Sequence, residues 1–222
     1  MMRLIICGEG GLGHEVLDTV LQMQNMGIKE YNEILFLDDD ESKAKYMSYT
    51  VMPTGRIFDK YDTEDTRFVM AIGEPIHRIG LIERIKSRGY HFETLIHPAA
   101  YVGINTSIGE GTVVQRGAII SCDCEIGENC FFQPYSTVGH NCVIGNNTTV
   151  STNAAISGGV EIGNDTYISV GVSVIQGAKI GNNSVVGMSA VVVRDIPNNV
   201  VAMGNPARAM KNKDDSRVFA AH

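Results

Sequence analysis

The sequence predicts an α/β N-terminal domain followed by a parallel β-helix, and two patterns carry this prediction. From Val102 to Val192 every sixth residue is apolar. A period of six fits neither an amphipathic helix nor strand alternation, and it is typical of hexapeptide-repeat solenoids. Before residue 98, strand-like and helix-like segments alternate, which is typical of a parallel sheet covered by helices.

Composition excludes several classes of protein. The chain has 222 residues and a net charge of −7, with no basic face to favour a nucleic-acid partner. No apolar run approaches the ~18 residues of a membrane-spanning helix. The apolar start of the chain is interrupted at Gly8, too early for a signal peptide. We therefore expect a cytoplasmic protein without membrane insertion.

The five cysteines are expected to be reduced. Their number is odd, and Cys124, Cys130 and Cys142 fall on the small interior position of the repeat. Cys122 and Cys124 alone are too few for a zinc site. No metal site is predicted.

The N-terminal elements follow from the apolar pattern. We expect strands at 3–8, 33–37, 67–72 and 90–95, and helices at about 14–26 and 76–88. Together they predict a small Rossmann-like parallel sheet.

A glycine loop connects the first strand to the first helix. Residues Gly8–Gly13 match G-x-G-x-x-G, in which glycines let the backbone approach a diphosphate at a helix N-terminus. Asp38 and Asp39 follow the second strand and Gly73 follows the third, so all lie at the carboxyl ends of strands, where ligands bind. The domain is too small for a whole dinucleotide, which favours a nucleotide with one sugar. The alternative is a tight turn whose glycines serve only packing.

The solenoid is expected to turn inward one β-branched residue per hexad and a small residue four positions later. The glycine that often follows the aliphatic residue is expected to take the turn conformation. Three sides per coil give about five coils, stacked to a height of roughly 25 Å. No insertion breaks the phase, so no external loop is predicted. The inward positions run from Val102 through Ile108, Val114, Ile120, Ile126, Phe132, Val138, Ile144, Val150, Ile156, Ile162, Ile168, Val174, Ile180 and Val186 to Val192.

These patterns give three segments. Residues 1–98 form the Rossmann-like domain, residues 99–196 form the β-helix, and residues 197–222 form a C-terminal tail whose last eight or so residues are predicted to be mobile.

Several motifs together resemble one known family along nearly the whole chain. They are the glycine loop, Phe36-Leu37-Asp38-Asp39, Ala71-Ile72-Gly73 with Arg78, Leu95-Ile96-His97-Pro98, Val138-Gly139-His140-Asn141-Cys142 and Gly204-Asn205-Pro206. The chain resembles the hexapeptide-repeat acyltransferases of the sialic acid O-acetyltransferase group. That group includes bacterial N-acetyltransferases that act on UDP- or GDP-linked 4-amino sugars.

The resemblance implies a left-handed β-helix and a homotrimer with active sites between subunits. It also implies acetyl-CoA along the solenoid and a nucleotide-sugar acceptor on the N-terminal domain. On the family's pattern His140 is the general base and the Gly158 N–H binds the thioester oxygen. Thr149 and Val170, with Gly158, match positions that line the CoA path. The positions that match nucleotide-sugar contacts are Gly10, Gly11, Leu12, Asp38, Asp39 and Gly73.

Two residues depart from the family's pattern. Amino-sugar enzymes often have a histidine where this chain has Leu12, and His14 lies two residues further on. They usually have an acid after the catalytic histidine, where this chain has Asn141. An amide orients an imidazole but does not stabilise imidazolium as a carboxylate does.

His140 is the only histidine within the solenoid. An unperturbed histidine, with a pKa near ~6.5, suits proton transfer at neutral pH. A sugar amine would attack the acetyl thioester while His140 takes its proton. Among the other histidines, His97 is interpreted as structural and His77 as a residue that could face the nucleotide, while His91 and His222 carry no signal.

Three alternatives stay open. O-acetylation of a sialic acid or another sugar hydroxyl depends more on a strong base, so Asn141 favours an amine. A metal enzyme of the γ-carbonic anhydrase type needs three histidine ligands, which one solenoid histidine does not supply unless His97 joins it. The last alternative is a non-catalytic nucleotide-sugar-binding or scaffold protein.

Overall fold

The computed structural model describes residues 2–40 and 42–212. The chain forms two compact units, Met1–Leu95 and a second unit that begins at Ile96. The boundary predicted from the sequence lay three residues further on. Residues 213–222, which include the predicted mobile end of the tail, lie outside the described residues.

The first unit is a small α/β sheet. Its elements are β1 (Arg3–Cys7), α1 (Gly11–Asn25), β2 (Glu33–Leu37), β3 (Lys45–Tyr46), β4 (Tyr49–Met52), α2 (Thr54–Ile57), β5 (Thr66–Met70), α3 (Pro75–Lys86) and β6 (His91–Phe92). The strand order is β3-β4-β2-β1-β5-β6, and all pairs are parallel except β3 with β4. The predicted strands at 3–8, 33–37 and 67–72 and both long helices are present. The predicted strand at 90–95 is instead two short strands, β6 in this sheet and β7 (Leu95–Ile96) in a sheet of the solenoid, and β3, β4 and α2 were missed.

The central strand of this unit is buried on both faces. Leu4, Ile5, Ile6 and Cys7 are fully buried, as expected for a parallel strand with helices on both sides. Helix α1 buries an apolar stripe that includes Val16, Leu17, Val20 and Met23. It begins at Gly11 rather than His14, so the glycine loop is shorter than predicted. Because β1, β2 and β5 run parallel, the glycine loop and the C-terminal ends of β2 and β5 lie at one edge of the sheet.

The second unit is a solenoid of short parallel strands. After β7 (Leu95–Ile96) they are β8 (Tyr101–Val102), β9 (Ser107–Ile108), β10 (Val113–Val114), β11 (Ile119–Ile120), β12 (Glu125–Ile126), β13 (Phe131–Phe132), β14 (Thr137–Val138), β15 (Val143–Ile144), β16 (Thr149–Val150), β17 (Ala155–Ile156), β18 (Glu161–Ile162), β19 (Tyr167–Ile168), β20 (Ser173–Val174), β21 (Lys179–Ile180), β22 (Val185–Val186) and β23 (Val191–Val192).

Each strand pairs in parallel with the strand eighteen residues away, as Ile126 does with Ile144 and Ile144 with Ile162. Three hexads therefore make one coil, and the strands form three sheets, one per side. Within the described residues, no external loop interrupts the coils between β8 and β23. The parallel left-handed β-helix of about five coils is confirmed.

The inward positions were predicted almost without error. Fourteen of the sixteen aliphatic or aromatic residues of the hexad phase are buried, and only Val102 and Ile108, in the first coil, are half-buried. The small residues four positions later are buried as well, from Thr112 to Ala190. Each coil thus closes an apolar core against the next.

The turn conformation predicted for the repeat glycines is wrong. Gly109, Gly127 and Gly145, which follow the aliphatic residue, are not among the residues with positive φ. A Cβ on Gly127 would lie 2.4 Å from Asn146 Oδ1 of the next coil, and the others meet similar contacts. Glycine is needed there because neighbouring coils stack too closely for a side chain.

The left-handed conformation instead falls on the residue three positions after each inward residue. From Asn105 to Ser189 every such position has positive φ, and all are Asn, Asp or Gly except Tyr135 and Ser189. Asparagine, aspartate and glycine are the residues that tolerate this region best. These corner residues fix where the chain turns.

The segment after the solenoid is more ordered than the predicted tail. Val200–Met203 (β24) extends one solenoid sheet in parallel, and Arg208–Asn212 (β25) pairs antiparallel with it. In the described part of the chain, no helix has the length and apolar character needed to cross a membrane.

Candidate active site

His140 lies at an exposed corner of the solenoid, in the turn between β14 and β15. Its Nδ1 is 2.8 Å from Asn141 Oδ1. Because an amide oxygen only accepts hydrogen bonds, this contact fits the tautomer in which Nδ1 carries the proton and donates it. In that tautomer Nε2 is the nitrogen that can accept a proton at the surface.

Asn141 is one of the left-handed corner residues, with φ of 57°. Asparagine at this position, where the family usually has an acid, therefore has two roles. It tolerates the left-handed conformation of the corner, and it orients the histidine ring. Sequence reasoning considered only the second role. The regular spacing of Asn, Asp and Gly was the signal for the first.

Gly158 lies one coil after His140, directly against its ring. A Cβ added to Gly158 would be 2.7 Å from both Cε1 and Nε2 of His140. The next residue, Gly159, donates its N–H to the His140 carbonyl oxygen at 2.7 Å. The structure thus brings together the three residues predicted as catalytic: His140, Asn141 and Gly158.

The residues predicted to line the CoA path are not all near this corner. Thr149 lies in β16, on a different sheet from β14, and is only 4% exposed. Within this chain it presents almost no surface to a ligand. Val170 is 43% exposed, at the corner after β19 rather than the corner of His140.

A second candidate site lies in the N-terminal unit, at the carboxyl ends of the strands. A cavity of about 450 Å³ is lined by Gly8, Leu37, Asp38, Asp39, Thr54, Ile72, His77, Gly80, Leu81 and Arg84. It has acids on one wall and the cationic or basic groups of helix α3 on the other. The two acids follow β2 and helix α3 follows β5, and both of these strands pair with β1.

The cavity contains only part of the predicted set. Asp38 and Asp39 line it, but Gly10, Gly11, Leu12 and Gly73 do not. Thr54 and Arg84 were missed, and His77 had been left open. Arg78, a mark of the resemblance, is buried. The missed residues belong to α2 and α3, whose packing across the strand ends no local motif reveals.

Asp38 is part of the scaffold of the loop. Its carboxylate accepts hydrogen bonds from the Glu9 and Asp40 amides, both at 3.0 Å, and from Lys43 Nζ at 3.1 Å. Burial alone would raise the pKa of Asp38, but these donors outweigh burial and lower it. Asp39 accepts the Thr54 amide at 2.7 Å and so begins helix α2.

The glycines of the loop divide into two kinds. Gly8 has φ of +105°, and a Cβ on Gly13 would lie 2.0 Å from the Gly8 carbonyl oxygen. These two serve turn geometry and close packing. Gly10 and Gly11 have open space where a Cβ would be, which leaves their backbone accessible to a ligand.

His14 does not stand in for the histidine that the family often has at the position of Leu12. Its ring stacks on Tyr46 at 3.5 Å between centroids, and its Nε2 is 3.1 Å from Glu9 Oε1. Lys43 Nζ approaches the same Glu9 carboxylate at 3.3 Å. These contacts tie the segment that carries β3 to the loop.

The cysteines are all free thiols, and each except Cys122 is buried. Over residues 2–40 and 42–212, no cluster of three His, Cys, Asp or Glu side chains is arranged to hold a metal ion.

Two family models match the chain. Residues 3–85 match the PglD N-terminal domain, and residues 123–158 match the bacterial transferase hexapeptide of six repeats. No curated protein matches the chain in sequence.

Solved structures of similar fold cover nearly the whole chain. The acetyltransferase domain of PglB from Neisseria gonorrhoeae FA1090 is 28% identical, with a TM-score of 0.87 over 95% of this chain and 100% of that one. A second structure of that domain contains acetyl coenzyme A. PerB from Caulobacter crescentus, in complex with CoA and GDP-perosamine, is 28% identical, with a TM-score of 0.84 over 95% of this chain and 98% of that one.

A third neighbour is WeeI from Acinetobacter baumannii AYE, which is 26% identical, with a TM-score of 0.86 over 95% of this chain and 100% of that one. The models and the structures confirm the predicted resemblance: an N-terminal domain of PglD type precedes the hexapeptide repeats of an acyltransferase.

Proposed function

We propose that this hexapeptide-repeat acyltransferase moves an acetyl group from acetyl-CoA to the amine of a UDP- or GDP-linked 4-amino-4,6-dideoxy sugar. The observation that carries the proposal is the His140 corner, where the ring lies so close to Gly158 that a Cβ on that residue would be 2.7 Å from Nε2. The similar structures that hold acetyl-CoA, or CoA with GDP-perosamine, support the choice of both substrates.

The reaction is a direct attack. The amine nitrogen adds to the thioester carbonyl carbon while His140 Nε2 takes its proton. The Gly158 N–H donates to the oxyanion of the tetrahedral intermediate. When the carbon–sulfur bond breaks, the imidazolium returns its proton to the CoA thiolate, and His140 is again neutral.

Asn141 sets the direction of this proton transfer. By accepting from Nδ1–H at 2.8 Å it holds the tautomer in which Nε2 is the base. Asn141 carries no charge to stabilise the imidazolium. This favours an amine acceptor over a hydroxyl, because a hydroxyl depends more on the strength of the base.

The acceptor's nucleotide binds in the cavity of the N-terminal unit. Asp39 is exposed there and accepts ribose or base donors, while His77 and Arg84 on α3 face the phosphates. Gly10 and Gly11 leave the helix N-terminus open to the same charge. A cavity of about 450 Å³ is within the range of small-ligand sites.

The active form is a homotrimer with active sites between subunits, in the cytoplasm, serving bacterial surface-glycan or glycoprotein biosynthesis. Two features support the trimer. The first is that Val170 is exposed at a different corner of the solenoid from His140 of the same chain. The second is that Tyr101 and Ile119, which are paired on one sheet, expose apolar surface. A neighbouring copy would cover these residues and bring its corner to the histidine.

The test is a thiol-release assay with acetyl-CoA against UDP-, GDP- and CMP-linked sugars, each with and without a free 4-amine. Release with one amino sugar, and none with its hydroxyl analogue, is the expected result. Release with a hydroxyl sugar alone would replace the proposal by O-acetylation. Failure of the protein to bind CoA would favour the non-catalytic interpretation.

A further inference from the structure

Helix α3 has a glycine in its interior. Gly80 lies near the middle of the helix, which runs from Pro75 to Lys86, and it is exposed. Glycine destabilises the interior of a helix relative to alanine, because it loses more backbone freedom on folding and adds no side chain. A glycine at this position therefore needs a local explanation.

Neither backbone conformation nor close packing explains Gly80. It is not among the residues with positive φ. Apart from the nearby backbone of the helix itself, no described atom lies within 4 Å of the place where its Cβ would be. The interior glycine of α1 differs, because a Cβ on Gly13 would lie 2.0 Å from the Gly8 carbonyl oxygen. An alanine would fit at Gly80 without strain.

Gly80 lines the cavity of the N-terminal unit, together with His77 and Arg84 of the same helix. Spacings of three and four residues place all three on one face of α3. At the rise of a helix, His77 and Arg84 are about 10 Å apart along its axis. The absent side chain of Gly80 therefore leaves a notch between a basic ring and a guanidinium, and this notch opens into the cavity.

The charges of the two walls indicate which group fits the notch. The Arg84 guanidinium stays cationic at neutral pH, and it lies 5.3 Å from the centre of the Phe58 ring, which helps to hold it in place. The opposite wall carries Asp38 and Asp39, which accept hydrogen bonds. A nucleoside diphosphate has hydroxyl and N–H donors at one end and an anionic diphosphate at the other. Its diphosphate therefore suits the α3 wall.

We propose that Gly80 is a substrate-binding position whose missing side chain makes room for the diphosphate of the acceptor, between His77 and Arg84. A side chain at this position would stand between the anion and its two partners. The helix is less stable with glycine, and the ligand gains access to its surface. The inference rests on the proposed function, in which this cavity holds the nucleotide of the acceptor.

The test is titration calorimetry of Gly80→Leu with UDP and with GDP. Leucine favours helix, so α3 should persist while the larger side chain fills the notch. The Kd of the diphosphate that the unaltered chain binds should rise about tenfold or more, because hydrogen bonds from charged donors are lost. Gly80→Ala adds only a methyl group, so its Kd should rise less, and its melting temperature should be higher than that of the unaltered chain.

The matched control is Gly55→Leu. Gly55 is an exposed residue of helix α2, without positive φ and with the same open space, but it does not line the cavity. Its Kd should equal that of the unaltered chain. An unchanged Kd in Gly80→Leu, or an equal rise in Gly55→Leu, would overturn the proposal. A lower melting temperature of Gly80→Ala would overturn it too, because the glycine would then serve packing.

A double-mutant cycle with Arg84→Gln tests the diphosphate itself. If leucine acts by keeping the anion away from Arg84, the two losses overlap. The chain with both Gly80→Leu and Arg84→Gln should then lose less affinity than the product of the two single losses. Losses that multiply would show that the two positions act independently, which contradicts a shared anion.

The binding measurements separate this inference from the acetyl transfer, because they need no turnover. If Gly80→Leu weakened the binding of a diphosphate to a chain that transferred no acetyl group, the chemistry of the proposed function alone would fail. If the unaltered chain bound neither UDP nor GDP, the inference would be overturned, whatever the result at His140. In an active chain, Gly80→Leu should raise the acceptor KM and leave the KM for acetyl-CoA unchanged.

Discussion

The solenoid and the N-terminal unit hold their candidate site residues in different ways. His140 and Asn141 are exposed at a corner whose place is set by backbone phase and by the glycines of the next coil. Asp38, in contrast, is bound by two backbone amides and by Lys43. The solenoid keeps its fold independent of its site side chains, whereas the N-terminal unit uses a site side chain to shape its loop.

The largest expected effect breaks the scaffold of the solenoid itself. Ile144 is 1% exposed between two inward residues of neighbouring coils, so Ile144→Asp would bury an unpaired charge. We expect loss of about 4 kcal/mol or more of folding free energy, or failure to fold, in a denaturant melt followed by circular dichroism.

The control for this substitution is Asn146→Asp, which adds the same charge two residues later. Asn146 is exposed, and its Oδ1 accepts the Glu128 amide, a role that aspartate keeps. Its melt should match that of the unaltered chain. Equal stability of Ile144→Asp would show that the residue does not face inward.

The next largest effect is expected for Gly158→Ala, which should alter the His140 corner without disrupting the coils. Gly158→Ala would place a methyl group 2.7 Å from two ring atoms of His140 and displace the ring. Displacement of a base by about 1 Å costs about 10²-fold in rate, so kcat should fall by that factor. Circular dichroism should show the coils intact. A kcat within twofold of the original would mean that the ring does not need its present place.

A smaller effect is expected for a substitution at Asp38 in the N-terminal unit, which should weaken binding of the sugar substrate and disturb the glycine loop. Asp38→Ala removes the carboxylate that accepts hydrogen bonds from the Glu9 and Asp40 amides and from Lys43. Each such charge-assisted hydrogen bond contributes about 1.5–3 kcal/mol. The acceptor KM should rise about tenfold or more while the KM for acetyl-CoA stays constant.

Asp65→Ala is the control, since Asp65 precedes β5 at the opposite end of the strands and pairs with Arg3 at 3.4 Å. Its acceptor KM should not change. An unchanged acceptor KM in Asp38→Ala would place the nucleotide elsewhere.

The solenoid was readily predicted from the sequence because its order is local and periodic. Each coil repeats one backbone path, so a phase of six specifies which residue points inward, as it did for Ile144 and its counterparts. The role of the repeat glycines was misjudged because the clash of Gly127 with Asn146 is a contact across coils. A one-dimensional pattern does not distinguish close approach from turn conformation.

The cavity of the N-terminal unit was predicted only in part. Asp38 and Asp39 follow a recognisable strand, but Arg84 and Thr54 come from helices whose direction depends on packing.

The central claim is that His140 is the base of an acetyl transfer, and one comparison tests it most directly. CoA thiol release with the accepting amino sugar would be measured for the unaltered chain and for His140→Ala, at equal folded protein and saturating acetyl-CoA. The expected loss of kcat is about 10²-fold or more, the usual contribution of a general base. Near-normal release by His140→Ala would contradict the account and remove the solenoid corner from the mechanism.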